Sequence, residues 1–193
     1  MATYSRIYDK YADAAGAVSS LEALGIPSSD ISLIANEAVS DRYDADDNPS
    51  ATSSGAEIGA TVGGGAGLLA GLGMLAIPGL GPIVAAGWLA ATAAGAVAGS
   101  LAGGLVGAMV DAGTDEADAN VYAEAVRRGS VLVTVRTDMR SDVVSPALDA
   151  HNPADTINRR TEYERTGWTT FDPDAPQYSS DNTLNERPRR RVS

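Results

Sequence analysis

The sequence predicts an α+β protein: a ferredoxin-like split β-α-β domain with an inserted glycine-zipper helical hairpin. Three observations carry that expectation. Runs of branched and aromatic residues at Tyr4–Tyr8, Ile31–Ala35 and Val131–Val135 alternate with stretches of helical periodicity. These runs lie on both sides of a block, Ile58 to Val110, whose 53 residues contain no ionisable side chain. Within the block glycine recurs every fourth residue, which stacks residues on one face of a helix.

The first half spans residues 1–36. Tyr4–Tyr8 reads as a strand. Asp13 to Leu24 reads as a helix with Ala14, Ala17, Val18, Leu21 and Leu24 on one face, closed by Gly25 and stopped by Pro27. Ile31 to Ala35 completes a β-α-β unit. Residues 37–56 have the acidic, polar composition of a linker. Four aspartates between Asp41 and Asp47 suggest calcium, but the EF-hand pattern counted from Asp41 puts Asp46 where glycine is needed and Thr52 where glutamate is needed. A solvated turn is the better reading.

Residues 57–112 form the insert. Gly59, Gly63, Gly67 and Gly71 are phased at fours, as are Gly87, Gly95, Gly99, Gly103 and Gly107, with Ala91 filling the gap. Two antiparallel helices, Ile58 to Ile77 and Ile83 to Val110, are expected around Pro78-Gly-Leu-Gly-Pro82, packing through these glycines in the small-xxx-small mode. Each interior glycine costs a helix about 1 kcal/mol against alanine, so something apolar must surround them. Two surroundings satisfy that need. A helix of about 20 residues spans the hydrocarbon of a bilayer. A core shared by copies of the chain would serve equally, and the flanking Glu57, Asp111 and Asp115 lack the positive-inside signal of a membrane hairpin.

The second half spans residues 113–158. Asp115 to Arg128 is a helix capped by Thr114, acidic in its first turn, basic in its last, and ended by Gly129. Val131–Val135 is continuously branched and should be a central strand buried on both faces. Ser141 to Ala150 is read as a helix whose regular part begins at Pro146, and Thr156–Asn158 as a short edge strand. Strands from both sides of the insert must therefore pair. Residues 159–193 read as a polar tail, dispensable for folding, or as an arm anchoring Trp168 and Phe171 on a partner subunit.

Composition narrows the chemistry. No cysteine is present, which excludes disulfides and thiolate sites. The net charge of -11 argues against nucleic acid as a partner, and the arginines at 187 and 189–191 make only a weak patch. The single histidine, His151, reads as a surface or capping residue rather than a zinc ligand. Gly65-Ala-Gly67-Leu-Leu-Ala70 satisfies a loose dinucleotide pattern but lacks the preceding strand and the following acidic residue. No catalytic residue, metal ligand, cofactor or small-molecule ligand is identifiable. The opening residues have no secretory h-region, so the expected location is cytoplasmic, with or without attachment to the membrane.

Several stretches together resemble a known family: Ala14-Ala-Gly-Ala-Val18, Leu24-Gly-Ile-Pro27, Asp30-Ile-Ser32, Ile77-Pro-Gly-Leu-Gly-Pro82, and Tyr122-Ala-Glu-Ala-Val-Arg-Arg-Gly129 with Val131–Val135. They are similar, over about residues 3–160, to the bacterial general stress protein 17M-like (YflT-like) domain family. The resemblance implies a stress-associated protein and supplies no catalytic residues. The expectation is a non-enzymatic, homo-oligomeric stress protein whose hairpin mediates self-assembly or contact with membrane lipid. The alternative is a soluble sensing or regulatory domain with its ligand at a sheet edge.

Overall fold

The computed structural model describes residues 1–36, 73–77, 80–99 and 104–175. Elements run β1 (Ala2–Tyr8), α1 (Tyr11–Ala23), a 3-10 turn (Ser28–Asp30), β2 (Ile31–Asn36), β3 (Gly73–Ile77), β4 (Gly81–Gly87), α2 (Trp88–Gly99), α3 (Gly104–Asp111), α4 (Glu116–Arg128), β5 (Val131–Thr137), α5 (Ser141–Asp149) and α6 (Thr156–Arg165). The chain is a mixed α and β protein around one five-stranded sheet, ordered β1-β5-β2-β4-β3 and antiparallel at every pairing.

The expected pairing of the two halves is present, because β5 lies between β1 and β2. β1 and β2 each run antiparallel to β5 and so run parallel to each other, making β1-α1-β2 a split unit. β5 is the central, doubly buried strand its composition requires, with Leu132 and Val133 fully enclosed. Side chains alternate along the strands. Ile7, Ile34, Ala85 and Leu132 meet α2, α3, α4 and α6 on one face. Tyr8, Leu33, Val133 and Val135 meet α1 and α5 on the other.

The insert departs from expectation. Gly73–Ile77 and Gly81–Gly87 are strands, paired from Ile77 opposite Gly81 to Gly73 opposite Ala85, and they extend the sheet beyond β2. Of the helices expected over Ile58–Ile77 and Ile83–Val110, residues 73–77 and 83–87 are strand, Trp88–Gly99 and Gly104–Asp111 are helical, and 58–72 lie outside the described residues. The branched pair Ile83-Val84 favours a strand, Pro78 cannot continue a helix, and β2 offers an unpaired edge. Asn36 Nδ2 then donates to the Leu80 carbonyl at 2.9 Å and fastens the turn.

Gly87 accordingly does not pack helices. It ends β4 at φ +91, where an added Cβ would lie 2.0 Å from the Ile31 carbonyl oxygen. Gly95 and Gly99 do lie in a helix, α2, and Gly107 lies in α3, which packs on α2. Gly59, Gly63, Gly67, Gly71 and Gly103 fall outside the described residues, as do the aspartates of 41–47 and the Gly65 motif.

The second half also differs in detail. Asp115, not Thr114, caps α4, accepting from the backbone N–H groups of Ala117 and Asp118. α5 begins at Ser141 and runs through Pro146, losing one internal hydrogen bond but held by buried Val144 and Leu148. Thr156–Asn158 opens α6 instead of forming a strand: the Asp155 side chain accepts from Asn158 N at 2.8 Å, and Ile157 faces solvent. Only Ala154 touches the sheet there, in a single bridge to Ile7. Residues 159–175 of the supposed tail are therefore part of the fold, and they bury Tyr163 on the chain's own core.

Candidate binding cleft

A buried ionic knot within α4 holds the arginine that ties α6 to it. The Glu124 carboxylate is fully enclosed and accepts from Arg127 at 2.8 and 2.6 Å and from Arg128 at 2.6 Å. The Arg128 guanidinium lies 4.2 Å from the centroid of the Tyr163 ring, a cation–π contact across the two helices. Burial pushes the Tyr163 phenol up to about 12, with Arg159 and Arg128 pulling against it. At the other end Arg160 donates to Asp118 at 2.8 Å.

Beyond α6 the chain turns sharply. Gly167 takes φ +88, and the N–H groups of Thr166 and Trp168 return to the Tyr163 carbonyl. Trp168 meets Tyr163 edge to face, with centroids 5.8 Å apart. Asn120 of α4 holds the next residues: its Oδ1 accepts from Thr170 Oγ1 at 2.8 Å and from Phe171 N at 3.1 Å, while its Nδ2 donates to the Glu116 carbonyl at 2.7 Å.

These contacts leave an open cleft of about 470 Å³ between the first turn of α4 and the last turn of α6. Asp115, Glu116, Ala117 and Asn120 form one wall, Arg160 and Glu164 the other, and Trp168, Thr169 and Thr170 the end. Trp168 is half-buried, and its Nε1 is enclosed without a hydrogen-bond partner. The cleft has the size of a small-molecule site and one aromatic surface, Trp168, set among residues that are otherwise almost all polar or charged.

Of the described glycines singled out in the sequence, Gly87, Gly95, Gly99 and Gly107, none lines this cleft. His151 is elsewhere too. Its Nε2 is 2.8 Å from Ser20 Oγ, and its ring lies against Gly16, where an added Cβ would come within 2.6 Å of Nδ1. The pair joins α1 to the end of α5. A serine–histidine dyad needs a third group to orient the imidazole, and no described carboxylate bonds this one. Among the described residues no group of three or more His, Asp or Glu could hold a metal ion. Nor is any described helix long and apolar enough to cross a membrane.

The sequence reads residues 159–193 as a polar tail, or alternatively as an arm anchoring Trp168 and Phe171 on a partner subunit, whereas both side chains pack against the chain's own core. The missed signal was local: Asp155 as a cap, a helix-forming run rich in Arg and Glu, and Gly167 as its stop. Compared with protein families, with characterised proteins and with solved structures, the chain matches none.

Proposed function

We propose that this chain is a non-enzymatic regulatory domain, built on a ferredoxin-like split β-α-β unit, that binds a small molecule in the α4–α6 cleft. The observation that carries the reading is the cleft's construction. Trp168 is offered beside walls braced by the Arg160–Asp118 and Asn120–Thr170 bonds, with Glu124 holding Arg128 over the Tyr163 ring. Sites built on braced helices hold their geometry without a ligand. The resemblance to the 17M-like family supports placing such binding in a stress response.

The test is a small-molecule screen read by amide chemical shifts, with Ala117→Trp as the blocked control. Ala117 is exposed at the cleft wall, so the larger ring fills the cleft without entering the core. Ligands that shift residues 115–120 and 164–171 in the native chain and not in the variant support the reading. A diverse library that shifts none of them sinks it.

A second reading concerns assembly. α2 and α3 pack on one another within the chain, and the small residues phased along them, Ala91 (exposed), Gly95, Gly99 and Gly107, are the feature that would let a second copy approach closely in a homo-oligomer. Light scattering of the native chain against Gly107→Leu tests it, and an unchanged mass in a folded variant refutes it.

A further inference from the structure

Resting on the cleft reading, we propose that the ligand is a small organic cation, an ammonium or guanidinium on an aliphatic stem. Glu116 and Glu164 would hold its charge, and Trp168 would cover its stem.

Charge comes first. Three carboxylates line the cleft, Asp115, Glu116 and Glu164, against one guanidinium, Arg160, already held by Asp118 at 2.8 Å. Glu116 and Glu164 have no cationic partner among the described residues. An arriving anion would meet net negative charge, whereas an arriving cation would be drawn in.

The positive end of α4 points the other way and must be weighed. An anion at a helix N-terminus is bound by free N–H groups. Here the Asp115 carboxylate already accepts from Ala117 N at 2.9 Å and Asp118 N at 3.4 Å. That end is neutralised by its own cap, so the cation's electrostatics win.

Trp168 supplies the independent observation. Its Nε1 is enclosed, yet the residue is partly exposed at the cleft. What it offers a ligand is therefore ring carbon and π surface, not a donor. A π surface beside carboxylates selects a cation and lets an aliphatic stem lie on the ring. The volume suits one small molecule rather than a protein partner.

The experiment titrates the full chain with agmatine and cadaverine, and with pentanoate and pentanol as anionic and neutral counterparts, reading amide shifts and heats. The expected result is saturable binding of both cations and weakening with added salt. Glu116→Gln with Glu164→Gln should cost about tenfold or more in affinity; both side chains are exposed, and a melting curve checks that the variant folds. Cations bound equally by that variant overturn the proposal. Binding of pentanoate or pentanol alone, lost in Ala117→Trp, overturns the cation while leaving the cleft standing. No binding by any of the four, together with a blank wider screen, overturns both.

Discussion

Replacing Gly87 with alanine separates the two architectures that residues 81–110 could adopt, because they predict opposite signs. In a continuous helix from Ile83 to Val110, Gly87→Ala would stabilise the chain by about 1 kcal/mol. In the sheet the new Cβ meets Ile31 O at 2.0 Å, Ser32 Cα at 2.7 Å and Ile31 C at 2.9 Å, and the backbone holds φ +91. Every one of those atoms is backbone of the neighbouring strand, so no side chain can rotate away. The strands must separate by about 1 Å to reach even the closest tolerated contact. Left-handed strain in a residue with a Cβ costs about 1–3 kcal/mol. Forced overpacking adds about 1–3 kcal/mol. A loss near 4 kcal/mol is a large part of the 5–15 kcal/mol that usually holds a domain together, and for a chain of this length it lowers Tm by roughly 10 °C. Thermal melting by circular dichroism, with the urea midpoint as a second measure, reads the difference. A variant that melts at or above the native temperature would refute the placement of β4 beside β2.

Other consequences follow from the α4–α6 side of the sheet. Glu124→Gln removes the carboxylate shared by Arg127 and Arg128 while keeping its shape, and should cost about 3 kcal/mol in urea unfolding; a change below experimental error would show that the knot contributes nothing. Tyr163→Ala opens a cavity under α6 and should cost about 3–5 kcal/mol, and truncation after Asn158 should cost at least as much; an intact, equally stable core after truncation would return residues 159–175 to the status of a tail. Burial raises Tyr8, Tyr122 and Tyr163, the last to about 12, above the ordinary 10. The unfolded chain thus ionises first: the stability these phenols confer is complete below pH 10 and is lost as pH rises toward about 12. Tyrosinate absorbance followed alongside circular dichroism checks this, and full ionisation near pH 10 in a still-folded chain would contradict it.

The candidate site was less legible than the fold. Trp168 stood out as an aromatic in polar surroundings, but its spacing from Tyr163 carries no period that assigns it a face. The cleft depends on Arg160 reaching Asp118 across 42 positions and on Thr170 reaching Asn120 across 50. Such pairs leave no mark in local composition. Ile157 misled for a related reason: a branched residue suggested an edge strand, yet it is 77% exposed, and the Asp155 cap decides the conformation.

What the sequence determined by itself were the elements whose local pattern and burial agree. α1 has its small and apolar residues on one face, α4 has matching charges at both ends, and β5 is branched along its length; each appears within a residue or two of its expected span at one end or both. The tertiary structure alone decided the region from Gly73 to Gly87. Its glycines oppose a helix and its alanines favour one, so local preference is divided and the outcome rests on what is available to pair with. The open side of β2 supplies backbone hydrogen bonds along five positions, Ser32 to Asn36, and Gly87 is the residue that lets β4 approach that closely. A helix would have satisfied the same backbone groups within itself but left that edge of β2 uncovered.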